Sequence, residues 1–239
     1  MRERKTLDRV LSRAGAMSRK QAELAIRDGR VRVNGLRERD PAAWVDLGQD
    51  RVTLDDAPLE AWKPLYFALH KPVGFVTTRS DEHGRATVYE LTKSVSAWIA
   101  PVGRLDRDTS GLLLFTNDTD LAERITNPAS ELRKTYECVT AGMLSEDALE
   151  RLRTGVDLND GPTRPAEVRE LGRDADRTRI EITLHEGRNR QIRRMLEAVG
   201  SRVLALHRIS VGPVRLGELA EGALRPLTSR EVRALGSER

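Results

Sequence analysis

Leu7, Val10, Leu11 and Ala14 recur at helical spacing, with Arg4, Lys5, Arg9 and Arg13 on the remaining faces. This predicts a short amphipathic helix, which Gly15 can end. Ser18 followed by Gln21 is a capping-box pattern, in which a hydroxyl and an amide side chain satisfy each other's backbone donors. It opens a second helix with Ala22, Ala25 and Ile26 turned inward and Gly29 at its far end. The period then changes from helical to alternating. Val31 and Val33 alternate with Arg30 and Arg32 and run into Asn34-Gly35, a pair that tolerates the positive φ of a two-residue hairpin. Arg51 to Leu54 supplies a later strand, so the first stretch reads as a helix-helix-strand module.

Ala61 to Pro64 breaks regular structure before an apolar strand begins at Leu65, which places a junction there. Beyond it, strand-like stretches fall at 65–69, 74–78, 112–116, 135–141, 166–171, 179–184 and 203–211. Helical patterns fall at 120–126, 145–153, 189–199 and 229–235. Strands often follow one another directly, which favours a mainly antiparallel sheet with helices packed on it over a doubly wound sheet. No internal repeat, Gly-rich phosphate loop or dinucleotide fingerprint occurs.

Charge sharpens the picture of the N-terminal stretch. The net charge of +4 over 239 residues hides a polarised beginning. Residues 1–37 hold eleven Lys and Arg against four Asp and Glu, whereas residues 38–62 hold two against seven. Arginines outnumber lysines 35 to 6, and a planar guanidinium grips phosphate in a bidentate fork, so a basic cluster of this composition suits nucleic acid. The alternative is a solvated face on two amphipathic helices. Arginines of the second helix and the following strand are expected to meet phosphates, with the acidic half facing away. Cys138 is the only cysteine, which rules out an intrachain disulfide and a cysteine-based zinc site, and His70, His83, His185 and His207 lack ligand spacing. We expect no metal, no cofactor and no membrane span, and the cytoplasm as location, because the longest apolar runs are four residues.

The densest punctuation is Val102-Gly103-Arg104-Leu105-Asp106-Arg107-Asp108-Thr109-Ser110-Gly111, followed at once by Leu112-Leu113-Leu114-Phe115-Thr116-Asn117-Asp118. A polar, turn-rich loop thus runs into a buried strand and places Asp106 at the mouth of a core. Arg104 and Arg107 would keep its carboxylate ionised, fit to act as nucleophile or base. The alternative is a turn whose side chains cap backbone amides.

This run resembles the central motif of the RsuA/RluB family of ribosomal RNA pseudouridine synthases. Other landmarks follow in order: Lys71-Pro72-x-Gly74, Lys134-x-Tyr136, Glu186-Gly187-Arg188-Asn189-Arg190-Gln191-Ile192-Arg193-Arg194-Met195, then Leu206-x-Arg208 through Arg225-x-Leu227. The N-terminal module resembles the small S4-like RNA-binding domain. The resemblance implies an α+β protein: an S4-like α/β domain over residues 1–61, then a catalytic domain over residues 62–239 with a mainly antiparallel sheet flanked by helices.

It further implies that Asp106 is the catalytic aspartate, that Tyr136 packs its ring on the uracil and moves a proton, and that Arg193 pairs with Asp106. Arg188, Asn189, Arg190 and Arg194 would grip phosphates near the target, or else form the polar side of a helix with Asn189 as N-cap. Arg104 would enter the space left by a flipped nucleotide, and Lys71 and Lys134 would contact the RNA backbone or support the pocket. Leu206 and Ile209 would line it. In the N-terminal domain the candidate RNA contacts are Arg9, Arg13, Arg19, Lys20, Arg30 and Arg32. The implied partner is ribosomal RNA or an assembly intermediate, acted on by a monomer, with a large-subunit uridine favoured over a small-subunit one. A non-catalytic RNA-binding protein and a glycosidase releasing uracil are the rivals; the first would lack Asp106, Tyr136 or Arg193, and the second would change the RNA's mass.

Overall fold

The computed structural model describes residues 4–46, 48–59 and 63–237. The boundary expected between residues 61 and 62 lies outside the described residues. Two compact units emerge: residues 1–66 with 93–100 and 115–120, and residues 67–92, 101–114 and 121–239.

In the first unit a short strand β1 (Arg4–Thr6) leads into α1 (Leu7–Arg13), and α2 (Arg19–Arg27) follows. The capping box forms as the sequence implies: Ser18 Oγ accepts from Gln21 N, and Gln21 Oε1 accepts from Ser18 N. Such a cap stabilises by about 1 kcal/mol. Next come β2 (Val31–Val33), β3 (Leu36–Arg37), β4 (Trp44–Asp46), β5 (Val52–Leu54) and β6 (Ala57–Pro58). Asn34 and Gly35 both take positive φ, 53° and 85°, and pair Val33 with Leu36, the mirror-image turn that suits strand twist. Asp55 and Asp56 repeat the device between β5 and β6. Leu7, Leu11, Ala22, Ile26, Val31 and Val52 close the core of this unit. The buried Asn117 amide is fully used there: Oδ1 accepts from Leu65 N, and Nδ2 donates to the carbonyls of Arg13 and Lys63.

The remaining chain supplies β7 (Tyr66–Lys71), β8 (Ala100–Val102), β9 (Ser110–Thr116), α3 (Thr119–Thr126), β10 (Lys134–Ala141) and α4 (Glu146–Thr154). A two-residue hairpin β11 (Asp157–Leu158) and β12 (Gly161–Pro162) precedes β13 (Glu167–Asp174), β14 (Arg177–Leu184) and α5 (Gln191–Ala198). Then β15 (Val203–Val211), β16 (Val214–Arg215), β17 (Leu224–Pro226) and α6 (Ser229–Ser237) complete the chain. The main sheet runs β13-β14-β10-β15-β9-β7-β17, with β16 on β15 and β8 on β9. Of the pairs with a defined register, β15–β9 is parallel and the rest are antiparallel. Alternation along β10 and β14 sends Cys138, Ile180 and Ile182 to one face, where Leu149 and Leu152 of α4 and Met195 and Leu196 of α5 cover them.

Two expectations change. Residues 74–78 form no strand: Gly74 has φ +99°, and only one bridge, Val76 to Thr87, is made. The segment bonds to the 103–109 loop instead, with Thr77 Oγ1 donating to Leu105 O. Helix α5 starts at Gln191, not Asn189, because its cap residue Arg190 is left-handed at φ 47°, ψ 36°.

Candidate active site

The loop between β8 and β9 is held through its main chain and through the carboxylates of Asp106 and Asp108. Five successive carbonyls accept bonds: Leu105 O from Thr77 Oγ1, Asp106 O from Lys71 Nζ and Thr109 N, Arg107 O from Gly74 N, Asp108 O from Arg193 Nη2, and Thr109 O from Lys71 Nζ. Lys71 is 0% exposed, with bonds of 3.0 Å to Pro72 O, 3.0 Å to Asp106 O and 2.7 Å to Thr109 O. Burial pulls its pKa down from 10.5 to about 8, against the upward pull of Asp106 and Asp108. Its place is therefore under the loop. Direct contact with RNA, one of its two expected roles, is closed to it.

With the backbone so fixed, Asp106 presents a carboxylate that is 30% exposed to a cleft of about 380 Å³. This volume suits one nucleotide-sized ligand. Tyr136, Leu184, Ile192 and Leu206 form its aromatic and apolar walls, and Glu186 to Arg193 form the opposite rim. Ile209 is absent from the lining; it is the extra residue of a bulge in β15, between Arg208, which pairs with Tyr136, and Ser210, which pairs with Thr135. A second cleft of about 650 Å³, lined by residues 76–85 and by Arg104 to Asp108, meets the first at Asp106.

The arginines are distributed differently from the sequence-based reading. Arg190 Nη1 lies 3.6 Å from Asp106 Oδ2, while Arg193 Nη2 lies 3.1 Å from Asp108 Oδ2. Arg193 thus pairs with Asp108 and not with Asp106, and the left-handed backbone of Arg190 carries its side chain across to the loop. Bonding to Asp108 raises the pKa of Arg190 further above the usual guanidinium value. Arg104 and Arg107, expected to flank Asp106 as its counter-ions, make no ion pair among the described residues; they remain available to a ligand.

Two expected phosphate grips are committed elsewhere. Arg188 donates to Gly161 O and Pro162 O and pairs with Glu186, and Arg194 pairs with Asp160 at 2.8 Å, so both strap the β11–β12 hairpin to the start of α5. Asn189 and Arg190 remain exposed on the rim. Lys134 is part-buried, donates to Leu132 O, and has its pKa lowered by burial and by Arg208.

In the N-terminal unit Arg9 and Lys20 are exposed. Arg13 is not: it is buried at 6% exposure and pairs with Asp120 at 3.5 Å. Arg19 pairs with Asp8, Arg30 with Asp55 and Arg32 with Asp56. The acidic stretch does not face away as expected, because the β5–β6 turn lies beside the basic strand β2.

Sequence reasoning assigned no site role to Asp108 or Arg208. Arg208 is 4% exposed, faces Tyr136 across the β10–β15 ladder, donates from Nε to Leu112 O at 2.7 Å, and reaches Tyr136 Oη with Nη1 at 3.5 Å. The available signal was an arginine two residues from Leu206, on the inward face of an alternating strand. Gly111 permits the neighbouring strand to come close: its φ is +106°, and a Cβ there would lie 2.3 Å from Arg208 O.

Comparison with known proteins completes the description. The model of the family described as RNA pseudouridylate synthase matches residues 65–198, and that of the S4 domain matches residues 5–52. The chain is 39% identical over 231 residues to ribosomal large subunit pseudouridine synthase B of Bacillus subtilis (strain 168), covering 96% of this chain and 94% of that one. It is 37% identical to the protein of the same name from Pseudomonas aeruginosa, covering 97% of this chain and 62% of that one. A crystal structure of a pseudouridylate synthase superposes with a TM-score of 0.70 at 33% identity, covering 96% and 99% of the two chains.

Proposed function

The chain belongs to the RNA pseudouridylate synthase family, and from that membership we propose that it converts one uridine of large-subunit ribosomal RNA to pseudouridine with Asp106 as the catalytic carboxylate. The observation that carries this reading is the meeting of Asp106, Tyr136 and Arg190 on one cleft with apolar walls. The isomerisation breaks the bond from uracil N1 to ribose C1′, joins C5 to C1′, takes a proton from C5 and returns one to N1. Asp106 answers the electron deficiency at C1′ as N1 departs, either as a nucleophile or as a fixed negative charge. Arg190 lies 3.6 Å from that carboxylate, and Arg193 is held to the same loop through Asp108. Tyr136 gives the detached base a flat surface and an oxygen for the C5 proton, while Leu184, Ile192 and Leu206 keep water from the detached base.

Arg104 and Arg107, without ion-pair partners among the described residues, face the RNA, joined on the rim by Asn189 and Arg190. The S4 domain adds Arg9 and Lys20 as phosphate contacts, with Arg30 and Arg32 able to exchange the exposed carboxylates of Asp55 and Asp56 for phosphates and the exposed Arg19 held by the buried Asp8. A single uridine offers little surface, and a second tethered site raises its effective concentration. We read the protein as a monomer acting in the cytoplasm on ribosomal RNA or on an assembly intermediate.

The test is to incubate wild type and Asp106→Ala with unmodified large- and small-subunit ribosomal RNA and to map pseudouridine chemically. One new large-subunit site, absent with the variant, supports the proposal. A site in small-subunit RNA would relocate the substrate, equal modification by the variant would remove Asp106 from the chemistry, and a loss of RNA mass equal to uracil would replace isomerisation by base release.

A further inference from the structure

Arg208 is a buried cation without a carboxylate partner among the described residues, an arrangement that fold stability alone disfavours because the charge loses its hydration. Its surroundings are specific. Nε donates to Leu112 O, Nη1 lies 3.5 Å from Tyr136 Oη, and the guanidinium carbon is 5.9 Å from the centre of the Tyr136 ring. The two residues are direct partners in the β10–β15 register, and β15 carries an extra residue, Ile209, between Arg208 and Ser210, a bulge on the arginine's own strand. Burial and the Arg208 charge together lower the pKa of Lys134, and the same charge acts on Lys71, so its field reaches both lysines beneath the cleft.

A guanidinium has donors only, whereas a phenol has one donor and two acceptor lone pairs. Arg208 can therefore approach Tyr136 Oη only as a donor. One lone pair is then occupied, which leaves the phenol's own O–H to point away from Arg208. We propose that Arg208 is the positioning residue of Tyr136, fixing the orientation of its hydroxyl and stabilising the negative charge its oxygen carries before it takes the C5 proton. This rests on the reading that Tyr136 handles that proton. In the step itself the phenol first gives its O–H proton to solvent, the resulting phenolate takes the C5 proton as the C5–H electron pair returns to the uracil ring, and N1 takes its proton from solvent. Charged groups around the phenol are Lys134 on its own strand, Arg208 across the ladder, Arg104 and Asp106 in the loop, and Glu186, Arg188, Arg190 and Arg193 along the rim of the same cleft.

The test uses the full chain with Tyr136→Phe, Arg208→Met and Arg208→Lys, under steady-state conditions on RNA carrying the site that the mapping experiment identifies. Tyr136→Phe tests the underlying reading by itself: wild-type kcat there removes Tyr136 from the proton transfer whatever Arg208 does. Given a slow Tyr136→Phe, we expect Arg208→Met to lower kcat at least 30-fold with KM within threefold of wild type, and Arg208→Lys to recover to within fivefold. The ultraviolet difference titration of wild type minus Tyr136→Phe isolates this phenol from Tyr66 and Tyr89, the other two tyrosines. It should move to higher pH in Arg208→Met and stay in place in Arg208→Lys. An unmoved titration in Arg208→Met, or equal losses in the Met and Lys variants, would overturn the proposal. If Arg208→Met does not fold, Arg208→Lys with an unmoved titration but a loss as large as that of Tyr136→Phe would overturn it equally.

Discussion

Lys71→Met removes a buried charge at almost constant side-chain volume. The ammonium is fully enclosed, donates to three carbonyls at 2.7–3.0 Å, and has a pKa lowered from 10.5 to about 8, chiefly by burial. A tenfold change in proton affinity corresponds to about 1.4 kcal/mol, so at pH 7 the folded protein holds this cation at a cost of about 3 kcal/mol relative to the unfolded chain. The folded pKa lies below the unfolded one. Between pH 8 and 10.5 the unfolded chain therefore keeps a proton that the folded chain has released, and stability contributed by this group rises with pH across that window. Methionine has no such contribution. The unfolding free energy of wild type minus Lys71→Met should grow by roughly 1.4 kcal/mol from pH 7 to pH 9, read by urea denaturation at both pH values. Stranding the carbonyls costs on the order of 1–3 kcal/mol each at any pH, so the variant is the less stable protein at pH 7 and its kcat falls at least tenfold as the Asp106 loop loosens. A difference that stays flat or shrinks between pH 7 and pH 9 would refute the claim that this lysine is charged and desolvated under the loop.

Gly111→Ala should destabilise by about 3 kcal/mol or more, because the new methyl meets the Arg208 backbone at 2.3 Å and φ is +106°; a denaturation midpoint within error of wild type would contradict that close approach. Arg9→Gln with Lys20→Gln should reduce the slope of log affinity for ribosomal RNA against log salt by about 2, whereas Arg13→Gln, whose parent side chain is buried against Asp120, should leave the slope unchanged in filter-binding titrations. Ser18→Ala should cost about 1 kcal/mol through loss of the cap on α2, measured by thermal unfolding, and no loss would mean that the reciprocal bonds to Gln21 add nothing.

Local signals were legible in the sequence and pairing across the fold was not. The capping box at Ser18 and the hairpin at Asn34-Gly35 need only neighbouring residues, and both form. Asp55-Asp56 makes the same mirror-image turn but carries no glycine, so nothing in the pattern marked it. The strand at 203–211 matched to the residue, since a long alternating run outweighs its surroundings. At 74–78 the loop containing Asp106 competed for the hydrogen bonds and prevented a strand. In the cleft, the motif brought Asp106, Tyr136 and Arg193 to one lining. Which arginine meets which aspartate depended on the left-handed backbone of Arg190, and which arginines stay open to RNA depended on Asp55, Asp56 and Asp160 lying nearby. Those are consequences of chain reversal, which spacing along the sequence does not encode.

The five bonded carbonyls of residues 105–109 have an evolutionary consequence. Apart from the Asp108 carboxylate, which Arg190 and Arg193 also hold, this clamp reads main-chain oxygens and makes no demand on the side chains of residues 104 and 107. Arg104 and Arg107 can thus be exchanged for other residues without shifting the Asp106 backbone, and a mutational library at these two positions should yield folded proteins that differ in the RNA they accept. The loop separates the part of the site that must stay constant from the part that can drift, so new sequence preferences can arise by single substitutions while the reacting carboxylate stays where it is.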